Sequence, residues 1–189
     1  APLPGLGVPL VEFPANVQPF GSRDLARTRE DDVARFLERN AAGTTLENAQ
    51  GNPFQQDLMF RGFIASPVLG TPQGLSVFQD GVRVNESFGY VVNWDFVPIA
   101  AIASLQLLPG SNPVFGLNTL GGAITLQTKR GDRYPGASVE LSGGSFARRQ
   151  ATAQFGGASG GVDGYLAVNA MRDGGWADHN PSRVRQVFG

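Results

Sequence analysis

The chain has 189 residues, with 16 Asp plus Glu against 15 Lys plus Arg, one His and no Cys. A net charge of −1 argues against an electrostatic nucleic-acid binder, which needs a basic excess on some face. Fourteen of the 15 cations are Arg and only Lys129 is Lys; they are scattered, with no basic patch or polybasic membrane anchor visible. Without a thiol there is no disulfide framework or thiolate nucleophile, and one His leaves a His-based metal site or Ser-His triad with almost no spare parts. No catalytic constellation, cofactor or metal site is expected.

Gly and Pro together make 39 of 189 residues, yet 41% of the chain is hydrophobic, the profile of a turn-rich folded protein. The longest apolar stretches, such as Val97 to Ser104, are far below the roughly 20 residues of a membrane helix. The start Ala1-Pro2-Leu3-Pro4 has neither a charged start nor an apolar h-region, so a secretory leader is expected to be removed or never present.

Residues 1 to about 16 hold four prolines and read as an extended entry segment. Val17 to Phe20 is expected as a short strand. Thr28-Arg29-Glu30-Asp31 resembles a capping box before a helix from Asp32 to Arg39, whose Val33, Phe36 and Leu37 form an apolar stripe; Ala41-Ala42-Gly43 ends it. An extended segment at Thr44 to Glu47 and a loop at Gly51 to Pro53 precede a strand over Leu58-Met59-Phe60-Arg61-Gly62. Alternating helix and strands indicate a small mixed sheet.

Ala65 to Gly74 reads as a loop. Leu75 to Gln79, Asp80-Gly81 and Val82 to Val84 form the strongest local signal, because Asp-Gly between apolar runs favours a tight hairpin. A loop rich in aromatic and polar residues, Asn85 to Phe96, leads to a helical turn at Pro98 to Ala103 and a strand at Leu105 to Leu108, broken by Pro109 and Gly110. Asn112 to Phe115 is a second helical turn with an early Pro. After Gly121-Gly122, Ala123 to Thr128 is a strand.

Past Pro135 the pattern changes to period two. Val139 and Leu141 alternate with Ser138, Glu140 and Ser142; Ala151, Ala153 and Phe155 with Gln150, Thr152 and Gln154; Leu166, Val168 and Ala170 with Tyr165, Ala167 and Asn169. Gly143-Gly144-Ser145 and Ser159-Gly160-Gly161 separate them as turns, and a fourth strand begins at Val184 to Phe188. One apolar and one polar face is what a transmembrane β-barrel strand needs. Three or four strands cannot close a barrel, so the chain is expected to be a piece of something larger.

The ordered elements resemble the N-terminal part of a TonB-dependent outer-membrane receptor. The carriers are the helix Asp32 to Arg39, Met59-Phe60-Arg61-Gly62-Phe63, Val77-Phe78-Gln79-Asp80-Gly81-Val82, Ile102 to Gly110, Val114-Phe115-Gly116 and Leu120-Gly121-Gly122-Ala123-Ile124. The resemblance implies an α+β fold: a plug built on a small mixed sheet with short helices, followed by the first antiparallel strands of an incomplete transmembrane β-barrel. It divides the chain into an extended segment 1–16, a plug 17–131 and barrel strands 132–189. Arg61, Gly62, Asp80, Gly81, Gly110, Gly116, Gly121 and Gly122 are its structural plug motif. Where the family signature has charges this chain has Ala103, Ser104, Gln106 and Pro109, so polar or apolar contacts are expected to replace the ion pairs that tie plug to wall. Val8-Pro9-Leu10-Val11 is a poor match to the energy-coupling segment in front of the plug.

The resemblance also implies function: active uptake of a scarce nutrient such as a ferric siderophore or cobalamin-like chelate, with no enzyme activity, in the outer membrane of a Gram-negative bacterium. The implied partners are a TonB-type energy-coupling protein on the periplasmic side, the remainder of its own barrel and the small-molecule or metal-chelate ligand. Orphan barrel strands are also edge-pairing hazards, so a strand-paired oligomer is expected of the truncated chain. Under the family's orientation the outward loops carry Phe63, Ser66, Asn85, Glu86, Ser87, Phe88, Tyr90, Asn93 and Trp94, aromatic faces and polar tips suited to an amphipathic ligand. For Phe88 and Trp94 the other reading is packing against core or wall. Arg61 is read first as the partner of a buried structural group and second as a contact for an anionic chelate. Asp31 and Asp32 suit a helix N-terminus, and His179 is a lone loop residue. A signal-transducing module and a soluble Gly-rich secreted adhesin are the rival readings.

Overall fold

A computed structural model describes residues 15–189. The expected entry segment up to Pro14, including Val8 to Val11, lies outside the described residues. Strand β1 (Gln18–Phe20) leads into helix α1 (Ser22–Thr28) and helix α2 (Val33–Asn40). The N-terminus of α2 corrects the capping box expected at Thr28. Thr28 is the last residue of α1, Arg29 closes it in a left-handed conformation, and the cap of α2 is Asp32, which accepts from the Arg35 N–H at 2.8 Å.

Asp32 has a cost attached. Burial is the largest influence on its carboxyl, pushing it up from 3.8 to about 6 against the opposing Arg35 N–H and guanidinium. A carboxyl raised in the folded state stabilises fully below the unfolded value, and that contribution is lost as pH rises through about 6. Asp32→Asn keeps the capping acceptor without the buried charge. It is expected to be more stable than the parent at pH 7 by roughly 1–3 kcal/mol, the advantage vanishing near pH 4. Urea unfolding at the two pH values checks this, and a pH-independent difference contradicts it.

A three-stranded antiparallel sheet follows, in the order β2 (Thr44–Glu47), β3 (Asp57–Phe60) and β4 (Phe63–Ala65). Arg61 and Gly62, expected within a strand, instead form its β3–β4 turn, with φ of +51° and +85°. The second sheet has five strands in the order β1, β7 (Ile102–Pro109), β8 (Gly122–Thr128), β5 (Leu75–Gln79) and β6 (Val82–Arg83). It is mixed, since β5 and β8 run parallel while the other pairings are antiparallel. The helical turn expected to reach Ala103 is confined to Ile99–Ala101, and β7 continues to Pro109, which pairs with Gly122. Between the sheets lies one core holding Val33, Phe36 and Leu37 of α2, Leu58 and Phe60 of β3, and Val77, Leu105, Leu107 and Ile124 of the five-stranded sheet. The stripe expected on α2 is its buried face.

The remaining strands, β9 (Gly136–Gly143), β10 (Arg149–Ser159), β11 (Val162–Asp173) and β12 (Ser182–Phe188), make a four-stranded antiparallel meander. Its alternation is as the sequence indicates. Gln150, Thr152 and Gln154 of β10 and Tyr165, Ala167 and Asn169 of β11 turn toward the N-terminal body, while Ala151, Ala153, Phe155, Leu166, Val168 and Ala170 are exposed on the opposite face. Among the described residues no helix is long and apolar enough to cross a membrane.

Register gives the molecule two ends. Leu75 pairs with Gly122 and Gly122 with Pro109, whereas Gln79, Leu126 and Thr128 lie at the opposite edge of the same sheet. The chain leaves for β9 from that second edge, here the exit end; the first is the loop end.

Candidate functional site

Three loops meet at the loop end. The carbonyl of Gly74 accepts from the N–H groups of Leu120 and Gly121, at 3.0 and 2.9 Å, joining the 66–74 and 110–121 loops. Ser66 O accepts from Val92 N–H at 2.9 Å, joining the first of these to the 85–93 loop. A Cβ on Gly89 would lie 2.7 Å from the Leu69 side chain, so these loops also touch at their tips. The two loops singled out in the sequence therefore form one surface, together with a third, 110–121, that was not among the candidates. Its signal was present in apolar residues between turn formers: Val114, Leu117 and Leu120 are, like Leu69 and Phe88, large solvent-exposed side chains.

Within that surface the candidates divide. Phe88 is 77% exposed at a tip, flanked by exposed Glu86 and Ser87. Phe63 is only partly exposed, because its ring lies across Gly121 and Gly74; a Cβ on Gly121 would come within 2.2 Å of that ring. Trp94 is 1% exposed and belongs to the core, and Ser66 is fully buried. The Ser66 hydroxyl donates to the Asp57 carboxylate and accepts from Val68 N–H at 2.9 Å, while its own N–H donates to Gln73 Oε1 at 2.8 Å.

Asn85 is also buried, and all its hydrogen bonds go inward. Its Oδ1 accepts from Val77 N–H at 2.7 Å and from Arg83 Nε at 3.3 Å; its Nδ2 donates to Leu75 O and Tyr90 O, each at 3.1 Å. One side chain thereby splices the 85–93 loop to β5. Asn93 closes the loop base by donating to Glu86, and Tyr90 lies under the Arg83 guanidinium at 5.2 Å. Arg83 itself is held by neutral acceptors, Leu117 O at 2.8 Å and Ser76 Oγ at 3.0 Å, and burial lowers its pKa.

Arg61 differs from the buried-partner reading. It is exposed, its guanidinium sits 5.1 Å from the centre of the Phe60 ring, and no carboxylate pairs with it among the described residues. The positive φ of the turn turns the side chain out of the sheet instead of into the core. At the exit end, Asp80 and Gly81 make the tight turn, both with positive φ. The Asp80 carboxylate accepts from Thr128 N–H at 2.9 Å and Thr128 Oγ1 at 2.6 Å, fastening the turn to the end of β8. Gly110 and Gly116 likewise have positive φ, and a Cβ on Gly122 would lie 2.3 Å from Leu108 O.

The body is fastened to the four-stranded sheet at both ends. Ion pairs do this in part, which corrects the expectation that other contacts replace them: Arg148, itself held within the sheet by Asp173 at 3.2 Å, reaches Asp31 at 2.8 Å, Arg130 reaches Asp163 at 3.1 Å, and Arg29 reaches Glu140 at 3.6 Å. They originate from the α1–α2 joint and the exit segment, not from β7. Neutral acceptors around Lys129 add to them. Lys129 Nζ donates to Gln154 Oε1 at 2.7 Å and Ala100 O at 2.8 Å, and burial lowers its pKa. Beside α1 the fit is loose: a cavity of about 620 Å³ opens between Leu25, Arg29 and Ile99 on one side and Glu140, Gln150 and Asn169 on the other.

The family model for the TonB-dependent receptor plug domain matches residues 9–123. Solved structures with the same fold include the pyoverdine outer membrane receptor of Pseudomonas aeruginosa PAO1, 17% identical with a TM-score of 0.70 over 92% of this chain and 24% of that one. The alcaligin outer membrane receptor of Bordetella pertussis is 15% identical with a TM-score of 0.69, over 96% of this chain and 30% of that one. The siderophore receptor PiuA of Acinetobacter baumannii is 21% identical with a TM-score of 0.66, over 88% and 22%. No curated protein sequence matches the chain. The chain thus spans less than a third of the length of each of these receptors. Two sheets around one core, an Asp-Gly turn fastened to β8 and a loop cluster at the far end form the body that the family model covers over more than half of the sequence, and the chain belongs to the TonB-dependent receptor plug domain family, whose members are receptors and not enzymes.

Proposed function

We propose that this chain is the gate and ligand-binding module of an outer-membrane active transporter, with residues 17–131 as the plug and 132–189 as the first strands of the wall that encloses it. The observation that carries this is the gathering of three loops into one surface at the end opposite the exit segment, bearing Leu69, Phe88, Leu117 and Leu120 as exposed apolar groups. Such a surface, with polar tips from Glu86 and Ser87, suits an amphipathic chelate of the ferric siderophore or cobalamin type. Arg61 adds an exposed cation two residues from Phe63, which an anionic chelate would engage. Receptors with the same fold are named for siderophores and for ferric catecholate, pyoverdine and alcaligin.

Wall orientation supports the direction of transport. The β10–β11 turn at the exit end is the pair Gly160-Gly161, whereas the opposite end carries the longer 144–148 and 174–181 loops, and barrels of this kind keep short turns on the periplasmic side. A TonB-type protein would pull from the exit end, and the loose seam beside α1 is where a displaced plug would open first. The test is titration of the full-length protein with ferric catecholate, ferric hydroxamate and cobalamin, followed by fluorescence. Phe88→Ala is expected to weaken the ligand that binds about tenfold while leaving amide exchange in β5 and β8 unchanged. Unaltered affinity in Phe88→Ala rejects the loop surface as the binding site.

A further inference from the structure

The outer face of the four-stranded sheet carries a charge pattern invisible in the sequence. Arg149 lies directly across from Arg172, and Arg172 directly across from Arg183, so three guanidinium side chains form one row over three strands. Arg185, opposite Ala170, stands in the next row on the same face. All four are exposed, and none pairs with a carboxylate among the described residues. The acids of these strands, Glu140, Asp163 and Asp173, all have the opposite parity and face inward, where each is ion-paired. Like charges directly across a sheet are destabilising, so the row calls for an anion from outside the chain.

Position identifies that anion. Below the row the same face is apolar apart from Arg185 at its edge: Leu141, Ala151 and Ala170 beside Arg185, then Val139, Ala153, Val168 and Val187, then Ala137, Phe155 and Leu166. From Arg149 to the Gly160-Gly161 turn is 11 residues, about 36 Å of strand, or on the order of 28 Å of height at a barrel tilt near 40°, close to the roughly 25 Å apolar band of such walls. The row therefore stands at one membrane interface, on the side of the longer loops. There, Trp176 and Phe146, 74% and 58% exposed, supply the aromatic residues that mark such an interface.

We propose that Arg149, Arg172 and Arg183 hold the headgroup of an outer-leaflet lipid that carries two phosphate groups. Neighbouring strands are about 4.8 Å apart, so the row spans about 10 Å. That is wide enough for two phosphates on one headgroup and matched to the planar forks by which Arg grips them. The proposal rests on β9–β12 being membrane wall, and the two can fail separately: insertion into phosphatidylcholine vesicles tests the wall, and lipid selectivity tests the row.

The experiment uses full-length protein exchanged into phosphatidylcholine discs containing diphosphoryl lipid A, its phosphatase-treated form, or phosphatidylglycerol at equal surface charge. Lipid retained after detergent extraction is read by native mass spectrometry. The parent is expected to retain the diphosphorylated lipid selectively, and the triple change of Arg149, Arg172 and Arg183 to Gln is expected to lower retention at least about tenfold. The corresponding triple change to Lys, which keeps the charge, should retain much of it. Equal retention by the Gln variant overturns the proposal. So does equal uptake of the dephosphorylated lipid or of phosphatidylglycerol by the parent, an outcome readable even if the triple variant does not fold. Protein dimers that form through this face without lipid would overturn it as well.

Discussion

Asn85→Ala is expected to cost on the order of 3–5 kcal/mol and to release the loop surface from the plug core. The side chain serves four partners, and its removal leaves the Val77 N–H and the carbonyls of Leu75 and Tyr90 without their bonds in a buried site. Each buried backbone group left unsatisfied costs about 1–3 kcal/mol, and the three share one cavity, so the sum falls below simple addition. Arg83 would lose a neighbour at the same time, though its grip on Leu117 O and Ser76 Oγ remains. Asn85→Asp is expected to be no milder: it keeps an acceptor for Val77 but turns a carboxylate oxygen toward two carbonyls that need a donor. Amide exchange is the measurement. Val77, Val84 and Val92 should exchange some hundred to several thousand times faster in the Ala variant, whereas Phe88→Ala should leave them as they are. If Asn85→Ala loses ligand binding with protection intact, its role is contact and not architecture.

That contrast shows what was and was not legible in the residues. A polar side chain in a loop looks the same whether its hydrogen bonds go to a ligand or to its own backbone, so Asn85, Ser66 and Phe88 could not be separated by type. Only the return of the chain beside Leu75 and Val77 makes Asn85 structural. The Asp80-Gly81 turn was legible because its chemistry is local, two consecutive positive φ values between apolar runs. Helix α1 was not, because its seven residues bury one apolar side chain, Leu25, too little for a helical period to register. The alternation of β10 and β11 could be read directly, since period two survives in any sheet that has one wet face. The arginine row could not. Arg149, Arg172 and Arg183 are far apart along the chain and meet only through register, so a chain with scattered cations carries a basic patch after all.

Gly131→Ala is expected to unseat the exit segment from the wall, where a methyl group has nowhere to go. Its Cβ would lie 2.0 Å from Gly164 O and 2.3 Å from Gly157 O, both backbone atoms of paired wall strands that cannot rotate aside. Gly156 is in the same position toward Tyr134 O, at 2.1 Å. Residues 131–134 thus lie flat on a patch of wall kept bare of side chains, a close approach that only glycine permits. Overpacking of this kind costs about 1–3 kcal/mol or more, and here relief requires moving the segment, which also carries Lys129 away from Gln154 and Arg130 from Asp163. An internal control sits in the same contact. A Cβ on Gly157 or Gly164 meets nothing within 4 Å, because theirs would point to the opposite face, so Gly157→Ala and Gly164→Ala should be nearly silent. Conductance of the full-length protein in planar bilayers reads the outcome: Gly131→Ala and Gly156→Ala are expected to leak ions through a loosened seam, and Gly157→Ala and Gly164→Ala to stay sealed. Equal conductance in all four would mean that the exit segment is not what seats the plug, and that contacts elsewhere, Arg148 with Asp31 and Arg29 with Glu140 among them, hold it.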